Sequence, residues 1–384
     1  GHEVTVLTAQ PCYNDIRGPR QPWRDTQRGV EIRRLRLLPE RKRWRVLWLA
    51  NCCYFLLRCL LHALTPWRRY DLILGAPTHP ILSAWALSWM GYLTGTPYVI
   101  HSQDIHPEAA ACAGLIAKGW FYRFLMAIDT ASYSGAAYVV AISEDQRAYL
   151  ARRHPELGWR LVSIPNPPLD TAASFRTDIP DGFIPLRADG SVPYRVIFAG
   201  NIGNFQALDA VAEAILQLGQ PERIHFHFVG EGLAKSRLQT RLQTEVGRSV
   251  FFWPHQSVET AFAMMRTSDL GIVSLHPGMY EFAFPSKMAM YLAAGCPVLA
   301  IIEPQSELAE LVRSKRLGFV AASHEPEAIV AAIEDANRSS LTEGAAHRER
   351  IRRFAEQAYG REGFLDAWRK LLPGSRDEPV RRAA

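Results

Sequence analysis

The sequence predicts an α/β protein of two doubly wound, Rossmann-like domains, each built on a parallel sheet, that face each other across a cleft. Three observations predict this class. Short apolar segments rich in β-forming residues alternate with longer helical patterns through most of the chain, as in parallel sheets covered by helices on both faces. The length of 384 residues suits two domains of average size. One proline-rich segment without periodicity separates two such halves.

The individual elements follow from these patterns in chain order. In the first half we predict strands at 4–8, 31–36, 72–75, 98–101, 138–142 and 161–164, and helices at 119–134 and 144–153. In the second half we predict strands at 195–199, 226–229, 250–252, 270–274, 298–301 and 318–320. Helical patterns there cover 207–218, 234–245, 258–267, 286–294, 306–314, 325–339 and 349–372.

The domain boundaries rest on the proline-rich segment between residues 165 and 193. Prolines interrupt both helices and sheet ladders, so this segment is interpreted as a linker. The predicted units are an N-terminal domain at 1–170, a linker at 171–193, a C-terminal domain at 194–350, a C-terminal helix at 351–372 that could return to the N-terminal domain, and a tail at 373–384. Ligands bind such folds in the cleft, at the carboxyl ends of the parallel strands.

Composition and charge limit the function classes. With 48% hydrophobic and 21% charged residues, the chain is typical of soluble globular proteins and not of disordered or multi-span membrane proteins. The first 100 residues hold 14 Lys/Arg against six Asp/Glu, which indicates an acidic partner, such as anionic lipid, a phosphorylated substrate or nucleic acid, or else a solvated basic face. The six cysteines form no CxxC pair and no Cys/His metal spacing. We therefore expect reduced thiols in a cytoplasmic protein and no metal site.

The segment 46–64 is about as long as a membrane span. It is interrupted by Asn51, Arg58 and His62, and a charged residue at mid-bilayer is costly. Basic residues and tryptophans flank it: Arg41, Lys42, Arg43, Trp44 and Arg45 before, and Trp67, Arg68 and Arg69 after. This pattern favours a helix lying on an anionic membrane surface, with a buried helix as the main alternative and a true span as a third.

Two glycine-rich turns follow strands of the second half. The segment 198–204 contains Gly200, Asn201 and Gly203 and leads towards a helix, so its backbone could approach a phosphate closely. A purely steric need for glycine explains the same residues equally well. The second turn, 228–232, is interpreted as mainly structural.

The segment 280–300 combines a helix start with a helix stop. Ser286 is predicted to cap a helix whose first turn contains Lys287. A cation is unfavourable at a helix N-terminus unless an anion binds there, so Lys287 indicates a phosphate site. A surface lysine is the alternative. Residues 295–297 then end the helix and turn into the next buried strand.

Polar residues follow a strand of the first half at 101–108, where two histidines and two carboxylates occur within eight residues. His101 and Asp104 begin this cluster at the carboxyl end of the strand. Such a density indicates acid/base chemistry or binding of sugar hydroxyls, although any single member could be a structural hydrogen-bonding group.

Taken together, the segments 1–8, 98–116, 139–147, 164–166, 198–203, 229–232 and 285–300 resemble glycosyltransferase family 4 of the GT-B fold, especially enzymes of colanic-acid and capsular-polysaccharide synthesis. The resemblance covers nearly the whole chain. It implies a retaining transfer from a nucleotide-diphosphate sugar, without a catalytic metal or other cofactor, in the cleft between the domains.

The resemblance also implies residue roles. His101 and Asp104 would face the reacting sugar, and the donor would lie on the second half. The donor-binding residues are Gly200, Asn201, Gly203, Gln206, Pro254, His255, Glu281, Ser286, Lys287 and Met290. The diphosphate would meet Gly203 and the helix at Ser286–Lys287, and the base would lie near Pro254 and His255. A glycan or polyprenyl-diphosphate-linked acceptor would meet the basic, tryptophan-bearing residues Arg43, Trp44, Arg45, Trp67, Arg68 and Arg69.

Two departures from the family pattern keep alternatives open. Met290 stands where the family usually has a Glu that holds the donor ribose, and Glu281 is one residue off the spacing of the other family Glu. The family's first strand and its glycine-rich loop would precede Gly1, so we expect residues upstream to be missing. The alternatives are a non-catalytic GT-B-like partner protein and a sugar-nucleotide epimerase. We predict a cytoplasmic location, peripheral on the inner membrane face, and no nucleic-acid partner.

Overall fold

The computed structural model describes residues 2–10, 12–13, 16–17, 20–37, 45–65, 70–75, 80–168, 179–184, 192–219 and 223–372, with the backbone alone at 12–13, 16–17, 45, 80 and 340–343. Within these residues the chain forms two units with separate parallel sheets. The predicted fold class, two doubly wound α/β domains, is confirmed.

The N-terminal unit contains nine of the strands. These are β1 (Val4–Ala9), β2 (Cys12–Tyr13), β3 (Ile16–Arg17), β4 (Arg24–Gln27), β5 (Val30–Leu35), β6 (Ile73–Gly75), β7 (Tyr98–His101), β8 (Tyr138–Ala141) and β9 (Leu161–Ser163). Strands β6-β7-β8-β9 form one parallel sheet in that order, β1 pairs parallel with β5, β4 pairs antiparallel with β5, and β2 pairs antiparallel with β3. Its helices are α1 (Arg45–Ala63), α2 (Pro80–Thr94), α3 (Glu108–Cys112), α4 (Trp120–Ser134) and α5 (Glu144–Arg153).

The C-terminal unit has a six-stranded parallel sheet. Its strands are β10 (Tyr194–Ala199), β11 (Ile224–Val229), β12 (Val250–Trp253), β13 (Leu270–Ser274), β14 (Val298–Ile301) and β15 (Gly318–Val320), in the order β12-β11-β10-β13-β14-β15. The helices are α6 (Leu208–Leu218), α7 (Lys235–Arg241), α8 (Val258–Thr267), α9 (Lys287–Ala293), α10 (Glu307–Ser314), α11 (Pro326–Tyr359) and α12 (Arg361–Arg369). The strand order reverses between β10 and β13, so the crevice at their carboxyl ends is the expected ligand site.

The end of the chain differs from the predicted boundary at residue 350. Helix α11 continues to Tyr359, and Ile351, Ala355 and Tyr359 belong to the core of the C-terminal unit. Gly360 separates α11, which packs on the C-terminal unit, from α12. Phe364 and Trp368 of α12 pack against Val99 and Val140 of the N-terminal sheet. The last helix therefore joins the two units.

Several elements were not predicted. Helix α2 is apolar on all sides and carries no charged residue, so it lacks the amphipathic periodicity by which a helix is recognised. Helix α3 has five residues, and β2 and β3 have two each, which is too short for a pattern to be detected.

Candidate functional site

A buried lysine lies at the carboxyl edge of the C-terminal sheet. Lys287 is the first residue of α9, and its Nζ is 3.5 Å from the centroid of the Phe198 ring, at the end of β10. The Nζ atom is buried and has no hydrogen-bond partner among the described residues. Burial lowers the pKa of Lys287 to about 7, because an ammonium group that leaves water loses its solvation.

The contact with Phe198 offsets only part of this loss, since a cation over an aromatic face contributes about 2 kcal/mol when desolvated. A buried charge without a counter-charge is costly to the folded protein. An anion placed beside Nζ would remove this cost. The surroundings of Lys287 are therefore suited to an anion.

Gly200 brings the neighbouring loop close to this lysine. A Cβ built on Gly200 would lie 3.6 Å from Cε of Lys287, and Gly200 has a φ of +135°. The second glycine turn packs against the first, since a Cβ on Gly230 would lie 2.1 Å from the Gly200 carbonyl oxygen. Gly230 thus has the structural role that its sequence context indicates.

One of the predicted phosphate contacts, the Gly203 amide, has another partner in the structure. The Gly203 amide donates to Oε1 of Gln206 at 3.0 Å, so a phosphate would have to displace this side chain to reach that amide. Asn201, on the same loop, is exposed. Ser286 precedes α9 in a helical conformation and makes no side-chain cap, so its predicted capping role is wrong: a capping residue needs an extended backbone to turn its oxygen onto the helix.

The predicted base-binding residues lie at the edge of the same sheet. Pro254 and His255 directly follow β12, and both are exposed. Because β10, β11 and β12 are adjacent and parallel, these residues are on the same carboxyl edge as the glycine turns. Met290 lies one turn along α9 from Lys287 and packs, half-buried, against the core of the unit.

His101 and Asp104 occupy the opposite side of the cleft, where β7 ends. His101 is buried, and this burial lowers its pKa to about 4, so the imidazole is neutral at physiological pH. The Nε2 of Gln103 lies 3.1 and 3.2 Å from its two ring nitrogens, and its ring meets that of Trp368 at 5.2 Å. Burial raises the pKa of Asp104 to about 6, so its carboxyl group is mainly ionised at pH 7.

The two clusters meet across the cleft. The Ile105 amide donates to the Phe282 carbonyl at 2.7 Å, and Asp104 forms a backbone bridge with Ala283. The His101–Asp104 segment and the loop that leads into Lys287 are therefore adjacent. Glu281 of that loop pairs with Arg152 of α5, which places it between the two units.

Sequence reasoning did not identify several residues that shape this site. Gln146 of α5 donates from Nε2 to the Gln103 carbonyl at 2.9 Å and to the Phe282 carbonyl at 3.2 Å. Asn166 donates to Oε1 of Gln103 at 2.7 Å. Trp368, from the last helix, covers His101. These contacts join residues far apart in the chain. Gln146 and Asn166 lie in the 139–147 and 164–166 segments of the family resemblance, whereas Trp368 had no sequence signal.

Glu108, the last member of the 101–108 cluster, has a structural role. It accepts hydrogen bonds from Tyr149 at 2.7 Å and from Arg153 at 2.8 Å, and Arg153 also donates to Asp129 at 2.8 Å. All three charged side chains are nearly buried. They tie α3, α4 and α5 together behind the site.

The remaining predictions concern a metal and the acceptor. Across the described part of the chain, no group of three or more His, Cys, Asp or Glu side chains could hold a metal ion. Of the predicted acceptor and membrane residues, Arg43, Trp44, Trp67, Arg68, Arg69 and the side chain of Arg45 lie outside the described residues.

Two family models match the chain, one on each unit. Residues 1–167 match the family model of the glycosyl transferase 4-like domain, and residues 193–338 match that of the glycosyl transferases group 1. A probable glycosyltransferase, WbjE, of Pseudomonas aeruginosa is 27% identical over 314 residues, which cover 80% of this chain and 77% of that protein.

Two further proteins are similar along most of the chain. The putative colanic acid biosynthesis glycosyl transferase WcaI of Escherichia coli K12 is 26% identical over 383 residues, covering 95% of this chain and 90% of that protein. The crystal structure of Anabaena Alr3699/HepE in complex with UDP superposes with a TM-score of 0.63 at 15% identity, covering 89% of this chain and 85% of that one. The two family models together span most of both units, and the chain belongs to the family 4 glycosyltransferases of the GT-B fold.

Proposed function

We propose that this protein is a retaining, metal-independent hexosyltransferase that uses a nucleotide-diphosphate sugar as donor. The observation that supports this most directly is the buried Nζ of Lys287, without a hydrogen-bond partner among the described residues, at the carboxyl edge of the sheet. A donor diphosphate supplies the anion that this lysine lacks.

Each side of the cleft has a chemical role in the proposal. As the bond between the anomeric carbon and the diphosphate breaks, negative charge grows on the leaving oxygens, and Lys287 stabilises it in a site that excludes water. Neutral His101 donates or accepts a hydrogen bond at a sugar hydroxyl. The ionised Asp104 accepts a hydrogen bond from another hydroxyl and so orients the sugar ring. A hydroxyl of the acceptor then bonds to the anomeric carbon on the face from which the diphosphate departs, and its proton passes to the departing diphosphate oxygen.

The donor and acceptor classes are inferred from the relatives. HepE of Anabaena was solved in complex with UDP, and WcaI is described as a colanic acid biosynthesis enzyme. We accordingly propose a UDP- or GDP-hexose as donor and a growing glycan or polyprenyl-diphosphate-linked sugar as acceptor. The reaction would belong to cell-surface polysaccharide synthesis at the cytoplasmic face of the inner membrane.

A nucleotide titration tests the donor site. UDP, GDP and their hexose conjugates are titrated into the wild type, Lys287→Met and, as a control, Lys315→Met, whose lysine is exposed at the end of α10. We expect binding by the wild type and the control and a loss of at least about thirtyfold in Lys287→Met, since unpairing a buried charge costs about 2 kcal/mol or more.

One alternative is supported by specific residues. Met290 and the occupied Gly203 amide would both weaken donor binding, as in a non-catalytic partner protein. Failure of the wild type to bind any of these nucleotides would favour that alternative. An epimerase would convert the donor sugar in the absence of acceptor, and the product from that incubation distinguishes it from a transferase.

A further inference from the structure

Three neighbouring helices of the N-terminal unit expose large apolar side chains on their outer faces. On α2 these are Trp85, Trp89 and Tyr92, the last 79% exposed. At the start of α4 they are Trp120, which is 80% exposed, Phe121 and Phe124. Helix α1 adds a row of residues at helical spacing, Val46, Leu49, Leu57 and Leu61, which Leu64 continues directly after the helix. A soluble monomer rarely exposes an apolar surface of this extent.

The topology places these faces on one side of the molecule. Strands β6, β7 and β8 are parallel, and their order in the sheet is their order in the chain. Because the crossovers between such strands are right-handed, α2 and α4 lie on the same face of the sheet. Helix α2 packs against both α1 and α4. Its inner face, with Ala84, Leu87 and Met90, is buried in the core, which leaves the tryptophan face outward.

Helix α1 has the composition of a membrane segment but not the packing of a core helix. The window Val46–Ala63 has a mean hydropathy of 1.5, and most of its residues are exposed or only half-buried. The buried part is a single strip, which includes Asn51, Cys52 and Cys59. A helix attached along this strip to its own domain is positioned to lie in the plane of a bilayer rather than across it.

Exposed cations border this apolar surface. Helix α2 has no charged residue. Arg58, Lys118 and Arg123 are exposed beside the apolar side chains, whereas the acidic residue of α4, Asp129, is buried against Arg153. An apolar, tryptophan-rich surface bordered by cations complements an anionic bilayer. A second copy of this chain would instead bring like charges together.

We propose that the outer faces of α1, α2 and α4 form a docking surface for an anionic lipid bilayer. The aromatic side chains of α2 and of the first turns of α4 enter the headgroup region, and the flanking cations contact lipid phosphates. The inference extends the proposed function, because it brings the cleft to a lipid-linked acceptor, and its test requires neither donor nor acceptor.

Vesicle flotation of the full chain tests this surface. We expect the wild type to float with vesicles of phosphatidylcholine mixed with phosphatidylglycerol, to float less with phosphatidylcholine alone, and to be released by salt. The triple variant W85S/W89S/Y92S should bind the mixed vesicles at least about tenfold more weakly. F121S/F124S on the neighbouring helix provides a second, independent variant.

The controls are Trp159→Ser and Leu233→Ser, whose side chains are 66% and 79% exposed elsewhere on the surface. These should bind vesicles like the wild type. The proposal is overturned if the wild type does not float, if both surface variants float as well as the controls, or if the wild type is a dimer that the α2 substitutions dissociate. The surface variants should bind nucleotides like the wild type. A loss of vesicle binding in these variants then cannot be attributed to damage at the donor site.

Discussion

A buried cation lies in each half of the molecule, and the two cations have opposite surroundings. In the N-terminal half, Arg153 donates to both Glu108 and Asp129. In the C-terminal half, the Nζ of Lys287 has an aromatic ring as its neighbour and no hydrogen-bond partner among the described residues. Burial alone therefore does not identify a functional cation. The paired cation links three helices of the fold, whereas for the unpaired one we propose a ligand.

The largest expected effect is on the paired cation. Arg153→Met leaves two nearly buried carboxyl groups without their partner and should lower the free energy of unfolding by about 3–5 kcal/mol. The loss should shrink as the pH falls, because burial already raises the pKa of Asp129 to about 7, and a protonated carboxyl group tolerates burial. Urea unfolding at several pH values between 5 and 8 measures the loss of unfolding free energy and its dependence on pH.

The neighbouring Arg152→Met is the matched control for that experiment. Its side chain is 61% exposed and pairs with Glu281, so the variant should lose less than about 1 kcal/mol. Equal losses for the two variants would contradict a structural role specific to Arg153.

Removal of the unpaired cation should stabilise the protein, whereas removal of the paired one destabilises it. Lys287→Met removes a desolvated charge and keeps the volume, so we expect it to raise the free energy of unfolding by about 1–2 kcal/mol at pH 6. The gain should disappear as the pH rises from about 7 towards 10.5. In that range the folded wild type has lost the proton that its unfolded chain retains, so its stability increases with pH. A variant less stable than the wild type at pH 6 would show that Lys287 has a partner in the folded protein.

The smallest effect concerns the contact between the halves, where α5 and α10 meet at their N-termini. The Glu144 amide donates to Oε2 of Glu307 at 2.6 Å, and the Glu307 amide donates to Oδ2 of Asp145 at 2.8 Å. Asp145→Ala and Glu307→Ala should each cost about 1 kcal/mol in thermal unfolding. Glu144→Ala removes an exposed pair with Arg147 and is the control, expected within about 0.5 kcal/mol of the wild type. Wild-type stability in both Asp145→Ala and Glu307→Ala would exclude this contact as a link between the halves.

The C-terminal half could be predicted in more detail than the N-terminal half. Its strands include β13 and β14, in which every residue is apolar or small and buried, and such runs are visible in a sequence. Lys287 also had a local signal, because a cation in the first turn of a helix opposes the helix dipole. The prediction of an anion site there needed no knowledge of distant residues.

The features that could not be predicted either involve contacts between residues distant in the chain or lack a periodic sequence pattern. Helix α2 was not predicted because its inner and outer faces are both apolar, so the helix has no amphipathic pattern. Its outer face nevertheless carries the exposed tryptophans of the N-terminal unit's surface. The pairing of Glu281 with Arg152 joins residues 129 positions apart. The hydrogen bond from Gly203 to Gln206 is local, but a glutamine offers no pattern that separates capping from ligand binding.

Proton uptake on donor binding tests the central claim most directly. The pKa of Lys287 is lowered to about 7 in the free protein, and a bound diphosphate should raise it again, so the wild type should take up close to one proton per nucleotide sugar at pH 8. Calorimetry in two buffers of different ionisation enthalpy measures this number, and a nucleotide sugar avoids the terminal phosphate that itself titrates near about pH 6. Lys287→Met, at concentrations that still allow binding, should take up none. Donor binding without proton uptake by the wild type, or with equal uptake by the variant, would contradict a diphosphate site at Lys287.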